Sequence, residues 1–433
     1  MAGNFKMKKI NFRKNKKAAA IVLTLLFLAA CSITLFFMFR TRGANKFTVL
    51  FYRIPDSMQG HISGILAKEK NDRGEPIEFN FVNAENEAQL ALGLKKADLV
   101  FTLMGKEADN IVASIPEKNF SSSLFDSKTI GSASISAATV ALESPFSGKK
   151  KVSQIPILFD GYEMLLSKPA MEYTNTNRIA SWLDIENFAE KAKDSCPAPI
   201  VFAGGDDDIL LGVLSVIIEA LEGKETHHNL IKTILTAGGD MKELVKELSQ
   251  EDQPLEEVMK RFARWKKNKI FTTDILNMNC EEVRLLLERH TSAVSILPLS
   301  EHRKIAPGAV KYLTTIPIHT SEMDFYFPSM RALNTRAVIS PMVCMISRTP
   351  NSTLKNAAKA LVQEENQEFL ARSSGLAPLL ANCKIPDMQS DDLRFWIAAS
   401  SKPEIPLGLA AFDNEKKKHQ FAQAIRQYIS NLQ

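Results

Sequence analysis

Cysteine is sparse and unpatterned in this chain: five residues in 433, at positions 31, 196, 280, 344 and 383. Without a CxxC pair the spacing does not point to zinc, and it argues against a disulfide-stapled scaffold. An exported protein is able to pair such cysteines, but buried free thiols fit the spacing equally well, because cysteine packs as a small hydrophobe. The sequence also has no HExxH, no GxSxG, no P-loop and no GxGxxG after a strand, so the common signatures of metalloprotease, serine hydrolase and nucleotide chemistry are missing. Carboxylates number 49, too many for any pair to stand out as an acid/base couple. Tryptophan occurs three times, at 182, 265 and 396, and basic residues do not alternate with aromatics as they do in single-strand nucleic-acid binders. We therefore expect no enzyme, no cofactor and no nucleic-acid partner.

Charge of one sign is missing from the N-terminus. Residues 1–46 hold ten Lys or Arg and no acid; removing them turns a formal charge of +5 into −5 for the remaining 387 residues. The basic excess is thus a matter of topology rather than of an anionic partner. Seven of those cations precede residues 18–39 (AAAIVLTLLFLAACSITLFFMF), a run of 22 without a charge. At 1.5 Å per residue it spans a hydrocarbon core of about 30 Å. The larger basic cluster stays in the cytoplasm, which makes 1–17 a cytoplasmic tail, 18–39 a transmembrane anchor, and the rest an exported domain. A second reading uses the same residues: LAAC at 28–31 resembles a lipobox, with 18–30 as the signal h-region and Cys31 as the lipidated residue. Either way the main domain sits outside the inner (cytoplasmic) membrane, single-pass or lipid-anchored.

The length beyond residue 46 suits two lobes rather than one core. Short apolar or alternating runs at 47–52 (FTVLFY), 77–82 (IEFNFV) and 97–103 predict strands, separated by helices over about 61–70 and 85–96. Strands alternating with helices imply an α/β fold with a mostly parallel sheet. Residues 119–152, rich in Ser, Ala and Lys, read as a mobile surface excursion. A long strand-like stretch follows at 155–166, a helix capped by Ser181, a strand at 198–203, an apolar helix at 209–221, several helices to about 290, strands at 292–297 and 337–346, and a final helix at 419–432. The adjacent pair His227-His228, with Glu225 nearby, is the one metal-like cluster. Neighbouring helical residues point to different sides, so both read as solvated.

The order of these segments resembles the extracellular solute-binding proteins of ABC transporters, the large group that includes maltose-binding and other sugar-binding proteins (family 1). Four stretches carry the resemblance: IPILFDGYEMLLSKPAM (155–171) looks like the crossing segment into a second lobe; SWLDIENFAEKAK (181–193) like the family's Thr-Trp helix opening; NMNCEEVRLLLERHTSAVSI (277–296) like a helix feeding a return strand; and AVISPMVCMISRTPNSTLKNAAKALVQEENQEFLARSSGLAP (337–378) like a strand, turn and helices with a Gln at 367 and Gly375-Leu376-Ala377-Pro378. In segment order the resemblance spans about 47–433. The resemblance implies a two-lobed periplasmic-binding-protein fold, type II-like, with a ligand cleft between lobes, a small-molecule ligand and ABC permease partners. It divides the chain into lobe 1 (47–160), lobe 2 (161–290), a return to lobe 1 (291–336), and a crossing strand with lobe 2 C-terminal helices (337–433).

Ligands in such sheets sit beyond the C-terminal ends of strands. That rule nominates Tyr52, Arg53, Thr102, Met104, Asp160, Tyr162, Gly204, Gly205 and Asp206; Phe412 takes the place of the family's aromatic before the last helix. Asp206 and its neighbours are equally well explained as caps of the following helix. Sugar binders of the family stack pyranose rings on aromatic faces. Here Trp182, Trp265 and Trp396 all fall in helical patterns that read as core, which leaves carbohydrate, peptide, a small anion or no transported solute open as ligands. The alternative function is a non-transporting sensory or protein-interaction ectodomain on the same fold.

Overall fold

The computed structural model describes residues 46–115, 154–319, 335–348, 351–380, 383–385, 387–400 and 403–432. The anchor or signal at 18–39, Cys31 and the excursion at 119–152 lie outside these residues. Among the described residues no helix is long and apolar enough to cross a membrane.

The chain opens with β1 (Lys46–Tyr52), α1 (Asp56–Leu66), β2 (Glu78–Ala84), α2 (Glu87–Leu94), β3 (Leu99–Leu103) and α3 (Lys106–Ser114). β1 runs parallel to both β2 and β3, as right-handed βαβ units require. The unbroken apolar run of β1 reflects cover on both faces: Phe47, Val49 and Phe51 enter one apolar cluster, Leu50 and Tyr52 another. α1 starts five residues before its expected position, directly after Pro55, which its own missing N–H and fixed φ make a good entry residue.

β4 (Ile155–Ser167) is buried at every position except Asp160, which is half-buried. Its first half pairs with β10 (Ile339–Ile346), its second half with β6 (Val294–Pro298) and with β7 (Leu313–Ile316). The strand therefore belongs to both halves of one nine-stranded sheet of order β2-β1-β3-β10-β4-β6-β5, where β5 is Ile200–Val201; β7 and β11 (Ala377–Pro378) lie off this path and pair with β4.

After β4 come α4 (Lys168–Tyr173), α5 (Trp182–Ala192), β5 (Ile200–Val201), α6 (Asp207–Leu221), α7 (Lys224–Thr236), α8 (Met241–Leu248), α9 (Glu256–Lys267) and α10 (Cys280–Glu288). Ser181 caps α5, its hydroxyl accepting from Asp184 N at 3.1 Å. α6 is buried all round, at twelve of its fifteen residues, and forms the centre of this lobe. Gly212 lies where α6 meets β4: a Cβ there would stand 1.9 Å from the Tyr162 hydroxyl. Trp182 and Trp265 stack at 6.3 Å, and both indole N–H groups donate to Glu186 Oε1, at 3.1 and 3.0 Å. Burial lifts the Glu186 carboxyl above its usual range, while those bonds and Arg264 oppose the rise.

The remaining elements are α11 (Leu299–His302), α12 (Pro307–Val310), β7, β8 (Ile318–His319), β9 (Thr335–Arg336), β10, α13 (Ser352–Ala360), α14 (Glu364–Ser374), β11 (Ala377–Pro378), α15 (Met388–Ala399), α16 (Leu407–Ala410) and α17 (Glu415–Asn431). Two of the expected lobe boundaries are corrected here. Residues 294–298 do not return to the first lobe: β6 pairs with β5 and the second half of β4, and Val294, Ile296 and Leu297 pack in the second lobe's core. Nor are the helices after β10 all in lobe 2. Leu354, Leu370, Leu393 and Trp396, from α13, α14 and α15, join the first lobe's core, and only α16 and α17 pack on the second. Gln367 explains one resemblance motif. Its amide donates to Ile157 O at 3.0 Å and Leu361 O at 2.7 Å and accepts from Leu379 N at 2.7 Å, fastening α14 to the crossing strand. Asn351 caps α13, and Gly375 closes α14 at φ 70°. Cys196, Cys280, Cys344 and Cys383 are free thiols.

Candidate functional site

A cavity of about 220 Å³ lies where the two lobes face each other across β4. The first lobe contributes Arg53, Met58, Leu103, Met342 and Leu376; the second contributes Asp208, Ile209 and, from the far half of β4, Tyr162. Asp160, Pro298, Ser300, Ser340 and the 406–409 turn line the side where the chain crosses. The walls are mainly aliphatic, with a few polar groups converging on them, the usual composition of a small-molecule site.

Asp160 is the carboxylate that β4 brings to the cavity. Its Oδ1 accepts from Gly161 N at 2.9 Å and Ser300 N at 3.0 Å. Burial nevertheless dominates and pushes its carboxyl up to about 6, with the bonds to Ser300 and Gly161 opposing the shift. Three residues on, Glu163 Oε1 stands 2.9 Å from His302 Nδ1 in full burial, and its carboxyl is also raised by desolvation. Tyr162 turns towards α6 and donates to Asp208 O at 3.1 Å.

The mouth is bordered by a chain of charges that runs from one lobe to the other. Tyr52 donates to Glu107 Oε1 at 3.0 Å, and Glu107 Oε2 pairs with Arg53 at 3.0 Å. Arg53 also pairs with Glu415 of α17. Lys418, one turn on, reaches Glu415 at 3.0 Å and Asp208 at 2.6 Å. Burial pushes the Tyr52 hydroxyl up to about 12 and raises Glu107 as well. Arg53 adopts a left-handed backbone, φ 57°, which turns the chain out of β1 towards the cleft. Beside this network Gly105 touches α16: a Cβ there would lie 2.4 Å from Leu409 O, so only glycine permits the approach of the two lobes.

Of the residues nominated from sequence, Arg53, Asp160 and Tyr162 line the cavity. Tyr52 stands behind Arg53 and supports Glu107. Thr102 and Met104 flank the lining residue Leu103 and are buried, because alternate strand residues face opposite sides. Gly204 and Gly205 pack against backbone at Leu276 and Asn277. Asp206 caps α6, accepting from Ile209 N at 3.1 Å. Phe412 is buried beside Phe421, with ring centroids 5.4 Å apart. None of the three tryptophans lines the cavity. Sequence reasoning missed the cavity residues Ser300 of α11, Ser340 of β10 and Asp208 of α6; the last sits two residues beyond the nominated Asp206.

No protein-family model matches the chain, and no curated protein matches it in sequence. Solved structures do match its fold. The chain superimposes on AcbH, a bacterial solute receptor with an exclusive preference for β-D-galactopyranose, with a TM-score of 0.69 at 11% identity, covering 90% of this chain and 93% of that one. It superimposes on maltose-bound MalE3 of T. maritima with a TM-score of 0.60 at 11% identity, covering 89% and 97%. A family 1 extracellular solute-binding protein from Bifidobacterium longum subsp. infantis matches with a TM-score of 0.62 at 10% identity, covering 90% and 95%. The fold is that of the two-lobed solute-binding proteins, and these neighbours are binding proteins rather than enzymes.

Proposed function

We propose that this chain is an extracytoplasmic solute-binding protein, not an enzyme, that closes its lobes on a small ligand and hands it to the permease subunits of an ABC transporter. The observation that supports this reading most is the cavity between the lobes, walled by residues from both and by the crossing strand, in a fold shared with solute receptors. Closure is favoured by whatever extra contacts the ligand makes in the closed form. We assign the first contacts to Arg53, Asp160 and Tyr162, with Ser300 and Ser340 completing the polar set. No tryptophan platform lines the cavity, so carbohydrate, the ligand class of the neighbours, is to be bound through the hydroxyl-matching groups and Tyr162 rather than by indole stacking. Residues 18–39, or a lipid on Cys31, tether the domain to the outer face of the inner membrane.

The test is a thermal-shift screen of the full chain in detergent against sugars, oligosaccharides, amino acids, peptides and anions. A ligand that binds only the folded state adds about 2.7 kcal/mol of stability at a hundredfold excess over Kd. A shift confined to one class establishes a receptor and names its substrate. Flat curves from a folded sample sink the proposal and leave a sensory or interaction ectodomain.

A further inference from the structure

The pair His227-His228, expected to be solvated, is not. His227 is fully buried and His228 half-exposed, and both reach one carboxylate from a distant part of the chain. His228 Nε2 lies 2.8 Å from Glu404 Oε2, and His227 Nδ1 lies 3.6 Å from the same oxygen, too far for a hydrogen bond. Glu219, on the last turn of α6, completes the group: one donor atom from each of Glu219, His227 and Glu404 lies within 4.8 Å of the others, all three residues being buried.

Two atoms in this cluster have no partner. Glu219 Oε1 and His227 Nδ1 are enclosed and unbonded. The ring's tautomer follows from its other side. Ser215 donates to Leu211 O at 3.0 Å and accepts from Leu407 N at 2.8 Å, so His227 Nε2, at 3.1 Å from the same hydroxyl, acts as a donor. In the neutral ring Nδ1 then carries a lone pair that faces a carboxylate, an arrangement unfavourable in a dry interior unless a proton or a metal cation stands between them. Two carboxylates and one imidazole lone pair are ligands suited to a borderline divalent metal; the imidazole disfavours calcium and magnesium. Bonds of roughly 2.0–2.2 Å hold tetrahedral ligand atoms a little over 3 Å apart, so a cluster whose atoms lie within 4.8 Å of one another draws together on taking up the metal. Arg336 and Lys224 contribute positive charge near Glu219, and the Glu404 carboxylate opposes it.

We propose that Glu219, His227 and Glu404 form a buried site for a divalent transition cation of the zinc type, with Ser215 orienting the His227 ring and His228 orienting Glu404. Its place in the fold gives it a consequence. Glu404 donates its N–H to Ala337 O and accepts from Ile339 N, both at 2.8 Å, and Val338 O accepts from Tyr162 N at 2.9 Å. The metal would thus tie the α6–α7 corner of the second lobe to the 403–406 segment, through which the chain crosses from the first lobe to the second. The site stands apart from the cleft, and its test does not depend on any ligand there.

The full chain, stripped with a chelator, is dialysed against Zn2+ with Mg2+ in excess and its bound metal counted; Co2+ in place of Zn2+ reports the ligand set by its visible d–d bands. We expect one tightly held Zn2+ per chain and a raised melting temperature. Glu219→Gln keeps the side chain's shape and, its Oε1 being unbonded, leaves the metal-free fold intact while abolishing tight binding. His228→Ala, which removes only the orienting partner, weakens binding by about 10-fold. His419→Gln, at the exposed Asp207 pair, changes nothing. Zinc bound no more tightly than in Glu219→Gln, or a Co2+ spectrum without nitrogen ligation, overturns the proposal.

Discussion

Asp160 is the residue on which the cleft's chemistry turns. Every other side chain of its strand is buried, and it alone brings a charge to the cavity floor. Because its folded-state carboxyl sits near 6, above the ordinary 3.8, the folded protein holds a proton there that the unfolded chain has released. Ionisation of Asp160 therefore costs stability, and the cost appears as pH rises from about 4 to about 6 and persists above. Asp160→Asn keeps the oxygen that Gly161 and Ser300 bond and removes the charge. We expect the variant to melt several degrees higher than the parent at pH 7.5 and level with it at pH 4, as differential scanning fluorimetry at the two pH values will report. Equal gaps at both pH values would mean that the carboxylate is not strained by burial. The same residue adds a negative charge to the cavity as pH rises through about 6, so affinity for a cationic or hydroxyl-rich ligand should change over the same interval.

At the scale of the element, the strands with the strongest apolar runs were legible. The runs at 47–52, 97–103 and 155–166 lie within two residues of β1, β3 and β4. The strand read at 198–203 shrinks to Ile200–Val201, because the chain tightens at once into a turn in which Gly204 N bonds Phe202 O. What sequence did not reveal is partnership. β4 pairs with β10 across nearly two hundred residues of chain, and β6 chooses the second half of β4 rather than the first; no local pattern encodes that choice. His227 shows the same limit from the other side. The rule that adjacent helical residues diverge is sound, yet Glu404 meets both rings from 176 residues away. A signal was present all the same: His227 stands on one stripe with Leu230 and Ile234, the buried face of α7. Gln367 offers an element-scale test. Gln367→Ala strands one buried N–H and two carbonyls at the junction of α14, β4 and β11, at roughly 1–3 kcal/mol for each group left unsatisfied. A clear fall in the urea midpoint with unchanged slope is expected; a midpoint within error of the parent would show the clamp to be dispensable.

At the scale of the whole molecule, the two lobes meet through a salt-bridge chain and a glycine. Arg53 to Glu415 is the link that crosses, and Glu415 is more than half exposed, so it contributes little, about 0.2–1 kcal/mol. That small amount suits a latch: it biases closure without fixing it. Glu415→Gln should leave melting nearly unchanged and shift the closed-to-open ratio by up to about fivefold, seen as a larger radius of gyration in small-angle scattering at low salt. High salt should produce the same expansion in the parent protein by screening the latch. If neither treatment alters the scattering, contact at Gly105 rather than charge holds the lobes together.

The order in which the segments are used has a consequence for how the molecule comes into being. The first lobe's sheet waits for β10 and its core for helices that run to residue 399, while the second lobe's core is sealed only by α17, ending at Asn431. The first lobe is incomplete until residue 399 is made, and the second until Asn431. A chain emerging from the ribosome, N-terminus first, consequently offers no finished domain before residue 399, and an unfinished chain is a thread. Such a thread can still be passed through a narrow channel, where a lobe that had folded early would jam.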